Sequence, residues 1–340
     1  MTFRWLAALP VLLVAAGISA EEASLNPSHP SKYTVVQGDT LWDIAARFLR
    51  NPWEWPTVWQ RNPQIQNPDL IYPGDVLELS RYGGETKIRI AEPSEIRLSP
   101  RARVEPTRAA IPTIRMDAIR PFLSQPRVLS ERERDAAPYI AGLADGRILG
   151  GEGDLVYVRA IPAATSRSFT LFRPGQVYKD GETGEILGYE ALYVADAELQ
   201  SPGDPATLVL LRNEREASVG DRVLPLQWEK TGFFVHPHVT PRPVRGHIIS
   251  VLDGVSQIGQ YEVVAVDRGA RDGIEIGHVF DIFQKGTEIR DLYGRLGSQV
   301  VSPEQRAGSL MVFRVFHRVS YALVLEATRT VHVLDVIQTP

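Results

Sequence analysis

The chain has 340 residues, a hydrophobic fraction of 44% and a net charge of −4, which allows two or three globular domains. The mild negative charge gives no general reason to bind nucleic acid or an anionic membrane. The sequence contains no cysteine, which excludes disulfides, thiolate metal sites, cysteine nucleophiles and a lipid anchor on an N-terminal cysteine.

Residues 1–20 predict a signal peptide. Arg4 supplies a positive charge, an apolar run extends from Trp5 to Ile18, and Ala20 is a small residue suited to cleavage. An uncleaved membrane anchor is the alternative, but the run is shorter than the ~20 residues of a spanning helix, and Pro10 interrupts it. We therefore expect cleavage after Ala20, export to the periplasm and a mature protein without a membrane span.

Residues 33–80 predict a small unit in the order strand, helix, helix, strand. Tyr33-Thr34-Val35-Val36 is typical of a strand. Thr40 and Asp43 have the spacing of a helix cap, and apolar residues then recur at helical spacing. A second helix is expected at 56–61 and a closing strand at 76–79. Because so small a unit needs large core residues, most of its tryptophans are expected to pack in the core or at its edge.

This unit resembles a LysM domain. The resemblance rests on the run Tyr33-Thr34-Val35-Val36-Gln37-Gly38-Asp39-Thr40-Leu41-Trp42-Asp43 and on Asn67-Pro68-Asp69-Leu70-Ile71-Tyr72-Pro73-Gly74. It implies a βααβ fold that binds N-acetylglucosamine units of peptidoglycan in a groove between two loops. The implied site residues are Gly38, Asp39, Thr40 and Leu41 in the first loop, and Asp69, Leu70 and Ile71 in the second.

The chemistry of such a ligand fits these loops. An uncharged acetamido sugar needs amide-type hydrogen bonds, which unpaired backbone groups in loops can supply. It also needs apolar contact, which we expect from Leu41, Leu70 and Ile71. Asp39 and Thr40 could equally well cap the following helix, and Gly38 could serve only the turn.

Residues 81–110 predict a linker with a few extended stretches, because prolines interrupt the segment and seven Lys or Arg residues face four Asp or Glu residues. Beyond it we expect a first β-rich domain at 111–230 and a second at 240–340, with short helices at 116–123 and 130–137. The fold class is therefore multidomain α+β, a small LysM domain followed by a mostly β region. The expected strands are Leu155–Arg159, Ser168–Phe172, Thr207–Leu211, His247–Leu252, Tyr261–Val266, Val279–Phe283, Ser309–Phe316 and Ala322–Glu326.

A weak internal repeat suggests that the two β-rich domains are related. Phe172-Arg173-Pro174-Gly175 is echoed by Phe283-Gln284-Lys285-Gly286, and the strand after Ala206 is echoed by the strand after Tyr321. The alternative is that unrelated β proteins reuse similar glycine turns.

No enzymatic motif is apparent. His236-Pro237-His238 is similar to the paired histidines of some zinc endopeptidases, but the required upstream His and Asp pair is missing, since Tyr33 stands four residues after His29. Serine-nucleophile motifs are also absent. We expect no catalytic residues, no metal and no cofactor.

The run from Asp267 to Phe280 contains a glycine-rich double turn between two strands. It resembles the C-terminal domain of the flagellar assembly T protein. Together with the signal peptide, the LysM unit and the linker, it resembles the type IV pilus secretin-associated proteins of Gram-negative bacteria. That resemblance implies a periplasmic tether between peptidoglycan and an outer-membrane secretin. The alternatives are a peptidoglycan-modifying enzyme or its activator, and a general wall-binding protein with another envelope partner.

Overall fold

The structure is a computed structural model that describes residues 25–58, 71–82, 85–91, 111–115, 118–119, 122, 127–162, 166–226, 236–252, 257–291, 293 and 299–340. The predicted signal peptide lies outside these residues, as do most of the predicted linker and most of the helix expected at 116–123. In the described part of the chain, no helix is both long and apolar enough to cross a membrane.

The N-terminal unit is built on an antiparallel sheet with the strand order β1-β2-β3. Its elements are β1 (Lys32–Thr34), α1 (Leu41–Phe48), a 3-10 turn (Pro52–Glu54), α2 (Trp55–Val58), β2 (Val76–Tyr82) and β3 (Glu85–Ile90). The simple βααβ order predicted from the sequence is therefore incomplete. Strand β3 lies in the segment predicted to be a linker and pairs with β2 from Leu77 to Tyr82.

The third strand completes the core of this unit. Ile88 of β3 is fully buried together with Leu77 of β2 and with Ile44 and Phe48 of α1. Ile88 and Ile90 alternate with Lys87 and Arg89, the period of a half-buried strand. Trp55 also packs in this core, as expected, whereas Trp42 is buried in a different cluster that includes the C-terminal half of the chain.

Strand β4 (Arg127–Leu129) and helix α3 (Glu131–Ala136) lead into the first β-rich domain. The predicted short helix at 130–137 is confirmed. Ser130 accepts a hydrogen bond from the N–H of Glu133, whose carboxylate accepts one from the N–H of Ser130, which is a capping box.

Six strands of the first β-rich domain form a closed ring of pairings, in the order β5-β7-β10-β9-β8-β12 and back to β5. Strand β4 extends this sheet beside β9, and β6 pairs with β11 outside the ring. The strands are β5 (Tyr139–Leu143), β6 (Leu149–Gly150), β7 (Leu155–Arg159), β8 (Ser168–Lys179), β9 (Ile186–Ser201), β10 (Ala206–Asn213), β11 (Ala217–Ser218) and β12 (Arg222–Pro225).

The second β-rich domain is a closed barrel, in the order β13-β15-β20-β19-β16-β22. Two short pairs, β14 with β21 and β17 with β18, lie outside it. The strands are β13 (Arg245–Val251), β14 (Gln257–Ile258), β15 (Val263–Val266), β16 (Val279–Gln284), β17 (Glu288–Arg290), β18 (Gln299–Val301), β19 (Gln305–Val315), β20 (Ser320–Ala327), β21 (Val331–His332) and β22 (Val336–Gln338).

The two rings pair their strands in the same order along the chain, when β5, β7, β8, β9, β10 and β12 are matched with β13, β15, β16, β19, β20 and β22. The turn before the last strand is also the same. The N–H of Ser218 donates to Asp221 in the first ring, and the N–H of His332 donates to Asp335 in the second, both at 2.8 Å. This correspondence supports the predicted relationship between the two domains. The hairpin β17–β18 has no counterpart among the described residues of the first ring.

One buried cluster joins the parts of the chain. It contains Trp42 of α1, Ile114 from the segment after the predicted linker, Tyr178 of β8, and Tyr321 with other side chains of the barrel. The LysM-like unit therefore packs on the barrel through its first helix.

Candidate glycan-binding groove

The first loop of the predicted site is a tight turn between β1 and α1. Gly38 has φ +97°, a conformation that favours glycine. The Asp39 carboxylate points back to the strand, where it accepts hydrogen bonds from the N–H of Val36 and the hydroxyl of Tyr33, both at 2.9 Å. Burial and this hydrogen bond raise the pKa of Tyr33. Asp39 thus fixes the shape of the loop.

Thr40 is buried and caps helix α1. Its Oγ1 accepts a hydrogen bond from the N–H of Asp43 at 3.1 Å and donates to the Asp43 carboxylate at 2.8 Å. The other oxygen of Asp43 accepts a hydrogen bond from the Tyr261 hydroxyl of the barrel at 2.9 Å. Thr40 therefore caps helix α1, which was one of its two predicted roles. Through Asp43 it is also connected to the barrel.

The first two N–H groups of α1 are paired with a distant part of the chain. The N–H of Leu41 donates to the Pro112 carbonyl at 3.0 Å, and the N–H of Trp42 donates to the Thr113 carbonyl at 3.1 Å. Such N-terminal donors have no partner inside their own helix. Here the carbonyls of Pro112 and Thr113 supply that partner.

Ile71 is the residue of the second predicted loop, 69–71, that the structure describes. Its side chain is fully buried in the core of the unit, in a cluster that also contains Ile111, and the apolar contact with sugar that the sequence suggested stays a prediction. Its carbonyl accepts a hydrogen bond from the N–H of Ile111 at 2.8 Å. Asp69 and Leu70 lie outside the described residues, so their place in the site stays a prediction.

A cleft of about 590 Å³ opens between helix α1 and the barrel. Its lining is mixed in charge and includes Trp42, Asp43 and Arg47 from the helix and Tyr261 and Glu326 from the barrel. This cleft is a second concave surface beside the LysM-like unit, and no sequence motif pointed to it, because its walls come from residues more than two hundred positions apart.

Within the described residues, His238, Glu275 and His278 place potential metal-ligand atoms within 4.8 Å of one another. His278 is almost fully buried, and burial lowers its pKa. Its Nδ1 accepts a hydrogen bond from the N–H of Glu275 at 3.1 Å, so the neutral ring carries its proton on Nε2. A cation would have to displace this bond or change the tautomer. The imidazole rings of His238 and His278 pack edge to face, with centroids 4.7 Å apart. This contact holds the segment before the barrel against it.

The run from Asp267 to Phe280 begins at the junction of the two β-rich domains. Asp267 is fully buried and accepts hydrogen bonds from the N–H groups of His247 and Gly181 at 2.7 and 3.0 Å. Arg268 bridges Asp267 and Asp180 of the first ring, at 3.2 Å from each. This part of the run therefore holds the two rings together.

Comparison with known proteins identifies the N-terminal unit. Residues 33–80 match the LysM domain family, a family of peptidoglycan- and carbohydrate-binding modules rather than catalytic ones. The chain is also 34% identical over 64 residues to the uncharacterized protein YqbP of Bacillus subtilis (strain 168). That alignment covers 16% of this chain and 29% of YqbP, so this chain spans less than a third of the relative's length.

Proposed function

We propose that the protein is an exported, non-enzymatic periplasmic protein that binds the N-acetylglucosamine-containing glycan of peptidoglycan and tethers the outer-membrane secretin of a type IV pilus to the cell wall. The observation that carries the binding part is the LysM domain at residues 33–80. The proposed binding residues are Gly38, Asp39, Thr40, Leu41, Asp69, Leu70 and Ile71, with Ile71 acting through its backbone.

Backbone groups of the predicted loops support a neutral amide-bearing ligand. The N–H groups of Leu41 and Trp42 at the start of α1 are hydrogen-bond donors, and the carbonyl of Ile71 in the second loop is an acceptor. An acetamido group carries one carbonyl, which suits the two donors, and one N–H, which suits the Ile71 carbonyl. A single shallow site of this kind binds weakly, and the repeating polymer increases retention through many equivalent sites.

The secretin part of the proposal rests on the order of segments and on the resemblance of the run from Asp267 to Phe280. The second β-rich domain also offers a surface for a protein partner, in the strand pair outside its barrel. Ile289 of β17 and Val300 of β18 are cross-strand neighbours, and each is more than half exposed. Val301 beside them is 63% exposed. An exposed apolar hairpin of this kind is typical of a protein interaction site.

The test of the glycan site is a pull-down on purified sacculi with the double variant Asp39→Ala, Leu70→Ala. We expect weaker retention than for the wild type, while the barrel stays folded, as judged by protection of its amides from hydrogen exchange. Undiminished retention of a folded double variant would contradict the assignment of the site.

A further inference from the structure

Residues 111–113 connect the two loops of the predicted site. The N–H of Ile111 donates a hydrogen bond to the Ile71 carbonyl at 2.8 Å, and the Pro112 carbonyl accepts one from the N–H of Leu41 at 3.0 Å. The Thr113 carbonyl accepts a hydrogen bond from the N–H of Trp42 at 3.1 Å. The N–H groups of Leu41 and Trp42 and the carbonyl of Ile71, which the proposed function assigns to the acetamido ligand, are therefore already paired.

The occupying segment has the same chemistry as the ligand. A peptide group and an acetamido group are both secondary amides, each with one N–H donor and one carbonyl acceptor. Pro112 has no N–H, but its carbonyl bonds to Leu41 of the first loop and the N–H of Ile111 bonds to Ile71 of the second. The segment thus imitates the hydrogen bonding that the proposed function assigns to the sugar.

The segment is fastened at both ends by buried side chains. Ile111 is 5% exposed and belongs to the core of the LysM domain, whereas Ile114 is 1% exposed and belongs to the cluster that contains Trp42 and the barrel. Further along, the Phe122 carbonyl accepts a hydrogen bond from Arg314 of the barrel at 3.0 Å. Burial of two isoleucine side chains stabilises the segment and offsets the entropy cost of ordering it.

We infer that residues 111–113 are an intramolecular strap that closes the glycan groove and that peptidoglycan must displace to bind there. The inference rests on the proposed function of the groove. Glycan and strap compete for the same backbone groups, so the apparent affinity is the intrinsic affinity reduced by the fraction of molecules with an open groove. By linkage, glycan binding loosens the packing of the LysM domain on the barrel.

The first experiment uses the wild-type mature protein and an N-acetylglucosamine tetramer as the probe. Hydrogen exchange of the Ile111 amide is measured with and without saturating tetramer. We expect faster exchange at Ile111 in the complex, because it loses the Ile71 carbonyl. Binding of the tetramer with Ile111 still protected would overturn the strap and would point to another site, such as the cleft between α1 and the barrel.

The second experiment loosens the strap from the barrel side with Ile114→Ala, which leaves the LysM core intact. The matched control is Leu252→Ala, since Leu252 belongs to the same buried cluster but lies on the barrel. We expect about tenfold tighter binding of the tetramer by Ile114→Ala than by the control, if the strap is closed in about nine molecules of ten. Equal affinity in the two variants would overturn the strap and leave the proposed function standing.

A third outcome would contradict the proposed glycan function itself. If the amides of Leu41 and Trp42 exchange faster in Ile114→Ala, yet neither protein binds the tetramer or sacculi, residues 111–113 do protect these amides, but the proposed glycan function is wrong and the inference that glycan displaces them is wrong with it. Should Ile114→Ala fail to fold, the wild-type exchange experiment still decides the inference.

Discussion

Thr40 helps to fix the position of helix α1. Its hydroxyl caps the helix at the N–H of Asp43 and orients the Asp43 carboxylate. The second oxygen of that carboxylate accepts a hydrogen bond from the Tyr261 hydroxyl of the barrel. One hydroxyl therefore connects the shape of the first loop with the packing of the LysM domain.

We expect Thr40→Ala to destabilise α1 by about 1 kcal/mol, because the helix loses its N-terminal cap. The measurement is hydrogen exchange of the α1 amides, which should be faster in the variant. Thr40→Ser retains the hydroxyl and is the control, with exchange close to that of the wild type. Equal exchange in Thr40→Ala and wild type would contradict the capping role.

Asp180 provides a pH-dependent contact between the two rings. Burial opposes its charge, but the N–H groups of Thr183 and Glu182 and the Arg268 guanidinium outweigh burial and lower its pKa to about 2. The folded-state pKa is below that of an unfolded chain, about 3.9. The contribution of Asp180 to stability is therefore present above about pH 4 and is lost as the pH falls towards 2.

The corresponding experiment is denaturant unfolding of wild type and Asp180→Asn between pH 7 and pH 2. We expect the variant to be less stable near neutral pH and the difference to shrink as the pH falls through this range. Asp145→Asn is the control, since Asp145 is an exposed carboxyl whose left-handed backbone, φ +59°, also suits asparagine. A difference that does not depend on pH would contradict the electrostatic explanation.

At the scale of elements, strand β3 and the strap were not predicted from the sequence. The alternation of Lys87, Ile88, Arg89 and Ile90 could have predicted the strand, but the prolines that follow favoured a linker. No sequence motif marks the strap, because its hydrogen bonds to α1 are made by the backbone carbonyls of Pro112 and Thr113. These residues follow α1 by some seventy positions in the chain. The strands of the barrel were predictable because most of them are apolar and bounded by turn residues.

Strand β19 contains a glycine that the barrel requires. A Cβ at Gly308 would collide with the Glu326 carbonyl of β20, and backbone cannot move away as a flexible side chain can. We expect Gly308→Ala to lower the melting temperature clearly. Gly259→Ala, where a Cβ would meet no atom within 4 Å, should have little effect. Equal stability of the two variants would contradict this account of the β19–β20 contact.

The hairpin β17–β18 is the element that we expect to contact the secretin. Ile289→Ser with Val300→Ser should reduce co-purification of the secretin several-fold without reducing sacculus binding or stability, because both side chains are exposed. Ile148→Ser changes an isoleucine that is 83% exposed in the first β-rich domain and should have no effect. Full co-purification by the hairpin variant would remove this surface from the proposal.

At the scale of the whole molecule, a LysM domain is packed on the second of two rings with the same strand order. The sequence predicted the LysM domain from a local motif and a mostly β C-terminal region from short apolar runs. It could not predict how the rings close or that Trp42 packs towards the barrel, because such contacts depend on residues distant in the chain. The domain boundaries at 110, 230 and 240 remain predictions.

We propose that the protein binds peptidoglycan without cleaving it. The most direct test incubates the mature protein with purified sacculi, measures the bound fraction and analyses the supernatant for muropeptides. We predict that the protein sediments with the sacculi, that an excess of N-acetylglucosamine oligomer releases it, and that no muropeptides appear. Failure to sediment, or release of muropeptides that depends on the protein, would contradict the account.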